Sequence, residues 1–181
     1  MSKLMRTWRF FAKQLHLVCV RICHPSVKIG VGCDIRARFA LRVDAKAHVR
    51  IGQRCIIDND MVMEIAGHFE VGARTIFGHH CTIAAKESVL IGEDCLIAEM
   101  VSIRDHDHTY RRMDIPVREQ GATCAPVKIG RDVWIGAKAT ITKGVVIGDH
   151  AIIGANAVVT KNIPENAVAV GVPAKVIKRR T

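Results

Sequence analysis

The strongest constraint on this chain is a six-residue period. Ile129, Ile135, Ile141, Ile147, Ile153 and Val159 follow one another at unbroken intervals of six, and glycine follows four of them, at Gly130, Gly136, Gly148 and Gly154. On an α-helix a step of six residues turns the chain by about 600°, which scatters the marked positions with no common apolar stripe. On extended chain six is an even offset, so every marked side chain points the same way. Glycines between them supply bends that keep each strand short. The economical solution is three short strands per coil, roughly 18 to 20 residues per turn, with aliphatic side chains stacked inside a solenoid and backbone hydrogen bonds running between parallel coils.

A coarser form of the same repeat runs upstream. Aliphatic-glycine pairs recur at one constant, longer step: Val31-Gly32, Ile51-Gly52, Val71-Gly72 and Ile91-Gly92. Within these blocks the six-residue step gives Ile51, Ile57 and Met63; Val71, Phe77 and Ile83; Ile91, Ile97 and Ile103; and, more weakly, Val31, Ala37 and Val43. The solenoid is therefore expected over 27–160, interrupted at 104–126, where no new block begins. Loops of that length in a compact domain are functional or disordered. This one carries His106, His108, Tyr110 and several arginines, and function is the expectation.

One domain of 181 residues is expected, flanked by two segments outside the period. In 1–26, Trp8, Phe11, Leu15, Val18 and Ile22 fall at helical spacing with Arg6, Arg9, Lys13 and Arg21 largely off that stripe. Two readings stand: a helix capping the open end of the solenoid, or a peripheral membrane contact. The C-terminal extension, 161–181, reads as a turn, a short apolar hairpin and a basic end.

Lysine and arginine exceed aspartate and glutamate by ten, 27 against 17, so a partner or substrate carrying negative charge is expected. Aromatic residues make up 4% of the chain, too few to build a stacking platform for single-stranded nucleic acid, and no nucleic acid partner is expected. Seven cysteines without a CxxC pair argue against a disulfide framework or zinc ribbon and favour a reducing, cytoplasmic setting. No uncharged apolar run approaches the ~18 residues of a spanning helix.

The hexads resemble those of the hexapeptide-repeat acyltransferases, and the resemblance implies an all-β fold, a left-handed parallel β-helix. Ile103-Arg-Asp-His-Asp-His108, followed by Pro126-Val-Lys-Ile-Gly130 and Asp132-Val-Trp-Ile-Gly136, is similar to the sugar O-acetyltransferases of the galactoside and maltose type and to acetyltransferases of polysaccharide and lipopolysaccharide assembly. In that family the catalytic histidine stands at a fixed offset from the glycine of the preceding coil, and counted from Gly92 that offset falls on His108. The resemblance thus implies His108 as general base and the backbone N–H of Ala137 as oxyanion donor. Attack of a hydroxyl on a thioester needs both a base near its operating pH and such a donor. His106 competes with His108 for the role, and Asp105 or Asp107 could orient the imidazole or be a solvated loop carboxylate.

The same resemblance implies acetyl-CoA as co-substrate. Gly136, Ala137 and Ala155 would flank its pantetheine arm, with Trp134 facing that groove or a subunit interface, and Thr160, Lys161, Lys175 and Lys178 would meet its phosphates. The small residues also suit any tight corner, and the lysines any solvated tail. The acceptor-holding residues of the galactoside type are not matched; His79, His80 and Lys86 occupy that coil instead, with Tyr110 in the loop, and would suit a sugar bearing a carboxylate or phosphate. The implied activity is acetyl-CoA-dependent O-acetylation of a sugar or glycan, in a homotrimer whose sites lie between subunits. N-acetylation of an amino sugar is the alternative within the class. A zinc hydratase of the γ-carbonic-anhydrase kind, using His79, His80, His106 and His108, is the alternative outside it; no metal is expected.

Overall fold

The structure, a computed structural model, describes residues 25–180. The helix expected over 1–26 lies outside the described residues except for its last two positions, which form a turn. The described chain is the parallel β-helix that the hexads call for. Three parallel sheets make the faces of a triangular prism. The first face runs from Val27–Ile29 through His48–Ile51, His68–Val71, Ser88–Ile91 and Val127–Ile129 to Val146–Ile147. The second begins at Asp34–Ile35 and includes Leu96–Ile97, Trp134–Ile135 and Ile152–Ile153. The third begins at Ala40–Val43 and includes Val62–Ile65, Thr82–Ala85, Ser102–Arg104 and Thr140–Ile141.

Register explains the period. Ile51 pairs with Val71, Val71 with Ile91, Ile91 with Ile129 and Ile129 with Ile147. The step from Ile91 to Ile129 is longer than those on either side of it, because the insertion is spliced into that coil while the strands flanking it keep their register. Each marked position stacks on its own kind and is buried: Phe77, Ile83, Ile103, Ile135, Ile141 and Ile153 are fully inaccessible. Burial of such a side chain stabilises by about 1.5–3 kcal/mol, so repetition, not any one contact, holds the prism together.

The start of the repeat needs correction. Val31 is 73% exposed, while buried Ile29 registers with Ile51, followed by Ile35 with Ile57 and Leu41 with Met63. The first coil, from Ile29 to Ile51, is longer than the next, from Ile51 to Val71. Stepping back from Ile51 by the spacing of the later glycine pairs therefore lands on a corner, where Gly32 takes φ +75°. Glycine is required for closeness at one edge: a Cβ on Gly92 would lie 2.5 Å from the carbonyl oxygen of Gly130, and one on Gly72 would lie 2.4 Å from the amide nitrogen of Glu93.

The insertion is itself ordered. His106–His108 pairs antiparallel with Ala122–Cys124, and a short 3-10 turn spans Val117–Glu119. The C-terminal extension forms the expected hairpin, Ala167–Val170 against Lys175–Arg179, added to the second face. Among the described residues no helix is long and apolar enough to cross a membrane, and Cys55, Cys81, Cys95 and Cys124 are free thiols.

Candidate functional site

The expected site residues divide between two edges of the prism. One edge, where the third face turns into the first, carries the inserted hairpin and the turn at Lys86. The other, where the second face turns into the third, carries His79 and His80, then, two coils on, Gly136 and Ala137, and in the next coil Ala155. The third face separates the two.

Asp105 roots the hairpin on the first of these edges. It is fully buried. Its Oδ1 accepts the amide N–H of Lys86 at 2.8 Å, and its Oδ2 those of Glu87 and Ser88 at 2.7 Å each. Oδ1 also lies 3.0 Å from Nδ1 of His106. The backbone of Asp105 donates to Ala84 and accepts from Ala125, which ties the two ends of the insertion together. An ionised carboxylate bonded in this way is among the stronger polar anchors a fold can contain. Asp105 therefore orients His106, not His108.

His106, Asp107 and His108 lie on one strand, so the two imidazoles project to one side of the hairpin and Asp107 to the other. Asp107 sits 3.5 Å from Nζ of Lys143, which also donates to Oγ1 of Thr123 at 2.5 Å. His106 is three-quarters buried, whereas His108 is exposed and makes no side-chain hydrogen bond among the described residues. Farther out, Tyr110 is 74% and Met113 97% exposed.

Beside His106 is an open hollow of about 250 Å3. Ile65, Ala66, Ala84 and Ala85 give it an apolar floor, and Arg42, Asp44, Glu64 and Lys86 ring it. Arg42 pairs with Glu64. Lys86 is among the residues expected from the sequence, whereas Arg42, Asp44, Glu64 and the alanine floor escaped that reading, although a signal was present: Arg104, Ala84, Glu64 and Arg42 occupy one outward column in successive coils. The hollow exists because alanine interrupts that charged column.

At the other edge Ala137 is half-buried. Among the described residues its N–H donates to no backbone carbonyl, while its carbonyl accepts from Asn156 at 2.8 Å. Gly136 is tight against the next coil, since a Cβ there would lie 2.6 Å from the nitrogen of Ala155. Trp134 stands outward on the second face, 51% exposed, between Leu96 and Ile152 in register. Thr160, Lys161, Lys175 and Lys178 are exposed. Ala174, next to Lys175, donates to the carbonyl of Val158, which brings the extension beside the last coil near Thr160. Lys161 instead continues toward the edge that bears the hairpin.

His79 and His80 belong with Ala137, two coils below it, and not with Lys86. Their rings meet edge to face at 5.3 Å, and His80 is a corner residue with φ +58° whose Nε2 is 3.8 Å from Asp60. The two histidine pairs thus lie on different edges. Among the described residues no three His, Cys, Asp or Glu side chains converge as a metal site.

Residues 126–161 match the family described as bacterial transferase hexapeptide (six repeats). The putative lipopolysaccharide biosynthesis O-acetyl transferase WbbJ of Escherichia coli (strain K12) is 44% identical over 104 residues, covering 54% of this chain and 53% of that protein. Nodulation protein L of Rhizobium meliloti (strain 1021) is 35% identical over 127 residues, 70% of this chain and 68% of its own. The chain belongs to the hexapeptide-repeat transferases. A solved structure of galactoside acetyltransferase in complex with coenzyme A is 28% identical and superposes with a TM-score of 0.51 over 80% of this chain and 65% of its own. This hexapeptide transferase spans 53 to 62% of the length of the first curated relatives it matches.

Proposed function

We propose that this hexapeptide transferase is an acetyl-CoA-dependent O-acetyltransferase that modifies a sugar hydroxyl in cell-surface glycan or lipopolysaccharide assembly. One observation carries the reading. A hairpin bearing exposed His108 and an edge bearing the unengaged N–H of Ala137 stand on the same coils of a scaffold whose relatives include an O-acetyl transferase and a coenzyme A complex.

In this mechanism His108 takes the proton as the acceptor oxygen attacks the thioester carbonyl. The N–H of Ala137 bonds the oxygen that becomes negative in the tetrahedral intermediate. On collapse the C–S bond breaks, and the imidazolium returns the proton to the departing thiolate, releasing coenzyme A and the acetyl ester. Trp134 and the small residues Gly136 and Ala155 flank the pantetheine arm, with Lys161, Lys175 and Lys178 available to the phosphates.

Because His108 and Ala137 of one chain are on different edges, the proposed site is completed between copies, the hairpin of one meeting the Ala137 edge of the next. A homotrimer closes such a head-to-tail arrangement. Exposed Tyr110 and Met113 on the hairpin and exposed Leu96 and Trp134 on the second face support the assembly, as apolar surface suited to burial against a partner. A cytoplasmic setting, where thiols stay reduced, is part of the same proposal.

His108→Ala is expected to lower kcat for acetyl transfer by about 100-fold or more, the usual contribution of a general base, while calorimetric affinity for acetyl-CoA stays within about twofold. Full turnover in His108→Ala would remove His108 from the mechanism.

A further inference from the structure

The Asp105–His106 contact sets more than the loop root. A carboxylate has no proton to give, so at 3.0 Å the N–H must be that of His106 Nδ1. In the neutral ring the proton on Nδ1 leaves Nε2 with a bare lone pair. Asp105 cannot turn away, since its two oxygens also receive three backbone N–H groups from the turn at 86–88.

His106 lines the hollow. The hollow falls below the roughly 300–1,000 Å3 of pockets for drug-sized ligands, which suits a single sugar ring. Its alanine floor offers a surface for the C–H face of such a ring, and its rim is polar. His106 and His108 are two residues apart on one strand, so their Cα atoms lie about 6.6 Å apart on the same side. One ring can therefore reach both imidazoles.

Resting on the transferase reading above, we propose that His106 is a specificity-determining residue for the acceptor. Asp105 holds it in the Nδ1–H tautomer, and Nε2 accepts a hydrogen bond from a second hydroxyl of the sugar ring whose other hydroxyl His108 deprotonates. His106 moves no proton in the transfer, and Asp105 acts through it as a positioning residue.

The test is the tautomer itself. Long-range 1H–15N spectra of the full chain, labelled with 15N only at histidine, are recorded up a pH titration until the rings are neutral. The His106 signals are identified by their loss in His106→Asn, whose amide keeps a donor in the place of Nδ1 and so preserves the Asp105 contact. One protonated Nδ1 and one bare Nε2 are expected; the opposite tautomer or an averaged pair overturns the proposal. Kinetics form the second arm, run with whichever of methyl β-galactoside and methyl β-glucuronide the unaltered chain acetylates. His106→Asn is expected to raise the acceptor KM about tenfold or more with kcat within about threefold. An unchanged KM, or a loss of kcat matching that of His108→Ala, overturns it. Failure of the unaltered chain to bind acetyl-CoA would instead overturn the transferase reading, and the tautomer result would stand apart from it.

Discussion

Single residues in this chain take their character from where the coil places them, and the thiols show this most directly. Cys81 and Cys95 point into the prism and are fully buried; loss of hydration pushes each up to about 11. Cys55 is raised as well, first by its bond with Cys33 and then by burial. Only the thiolate attacks an alkylating reagent. Brief iodoacetamide treatment of the folded protein at neutral pH is therefore expected to label exposed Cys124 and to spare Cys55, Cys81 and Cys95, with peptide mass spectrometry as the readout. Rapid labelling of Cys81 or Cys95 would contradict the interior placement. None of this is legible from cysteine count alone; the six-residue period is what assigns an inward side to Cys55, Cys81 and Cys95. The offset from Gly92 points in the sequence to His108 as the proposed base, whereas nothing there points to the partners of Asp105, because three of them are backbone N–H groups that leave no signature in side-chain pattern.

At the scale of strands and corners, two kinds of stacking can be tested separately. Where coils touch backbone to backbone, a side chain has no room. Gly92→Ala would force a Cβ to 2.5 Å from a carbonyl oxygen, and a loss of about 1–3 kcal/mol, the usual cost of overpacking, is expected in urea unfolding; an unchanged midpoint would contradict the coil spacing. At the corners, carboxylates are hydrogen-bonded to arginine or histidine side chains. Asp60 is lowered by its bond with Arg38, Asp94 by its bond with Arg74 and Asp132 by its bond with His150. A carboxyl group lowered in the folded state stabilises fully above its unfolded value of about 3.9 and loses that contribution as pH falls through its folded value. The melting temperature is thus expected to fall below about pH 4, and a flat profile down to about pH 2.5 would contradict the pairing. The pairs are exposed, so each contributes little alone. The strands were readable because every interior position repeats, and the misplaced start at Val31 shows the limit: the longer first coil keeps the six-residue step through Ile29, Ile35 and Leu41 but breaks the spacing of the glycine pairs. The hairpin at 106–108 and 122–124 was not readable, since its strands pair only with one another and share no register with the coils.

For the whole molecule, the division of site residues between two edges is the fact on which the proposed chemistry rests. The hairpin with His106 and His108 and the edge with Ala137 lie on either side of the third face, and this is why the proposed site draws on a second copy. The stacked coils from Ile51 onward were legible because their period is global; the grouping of residues into edges was not, since it depends on how many residues each coil holds. Calorimetric titration of acetyl-CoA into the full chain and into His108→Ala is the most direct test of the transferase assignment. Micromolar binding with one site per chain, unchanged by the substitution, is the predicted result. No detectable binding to the unaltered chain would contradict it.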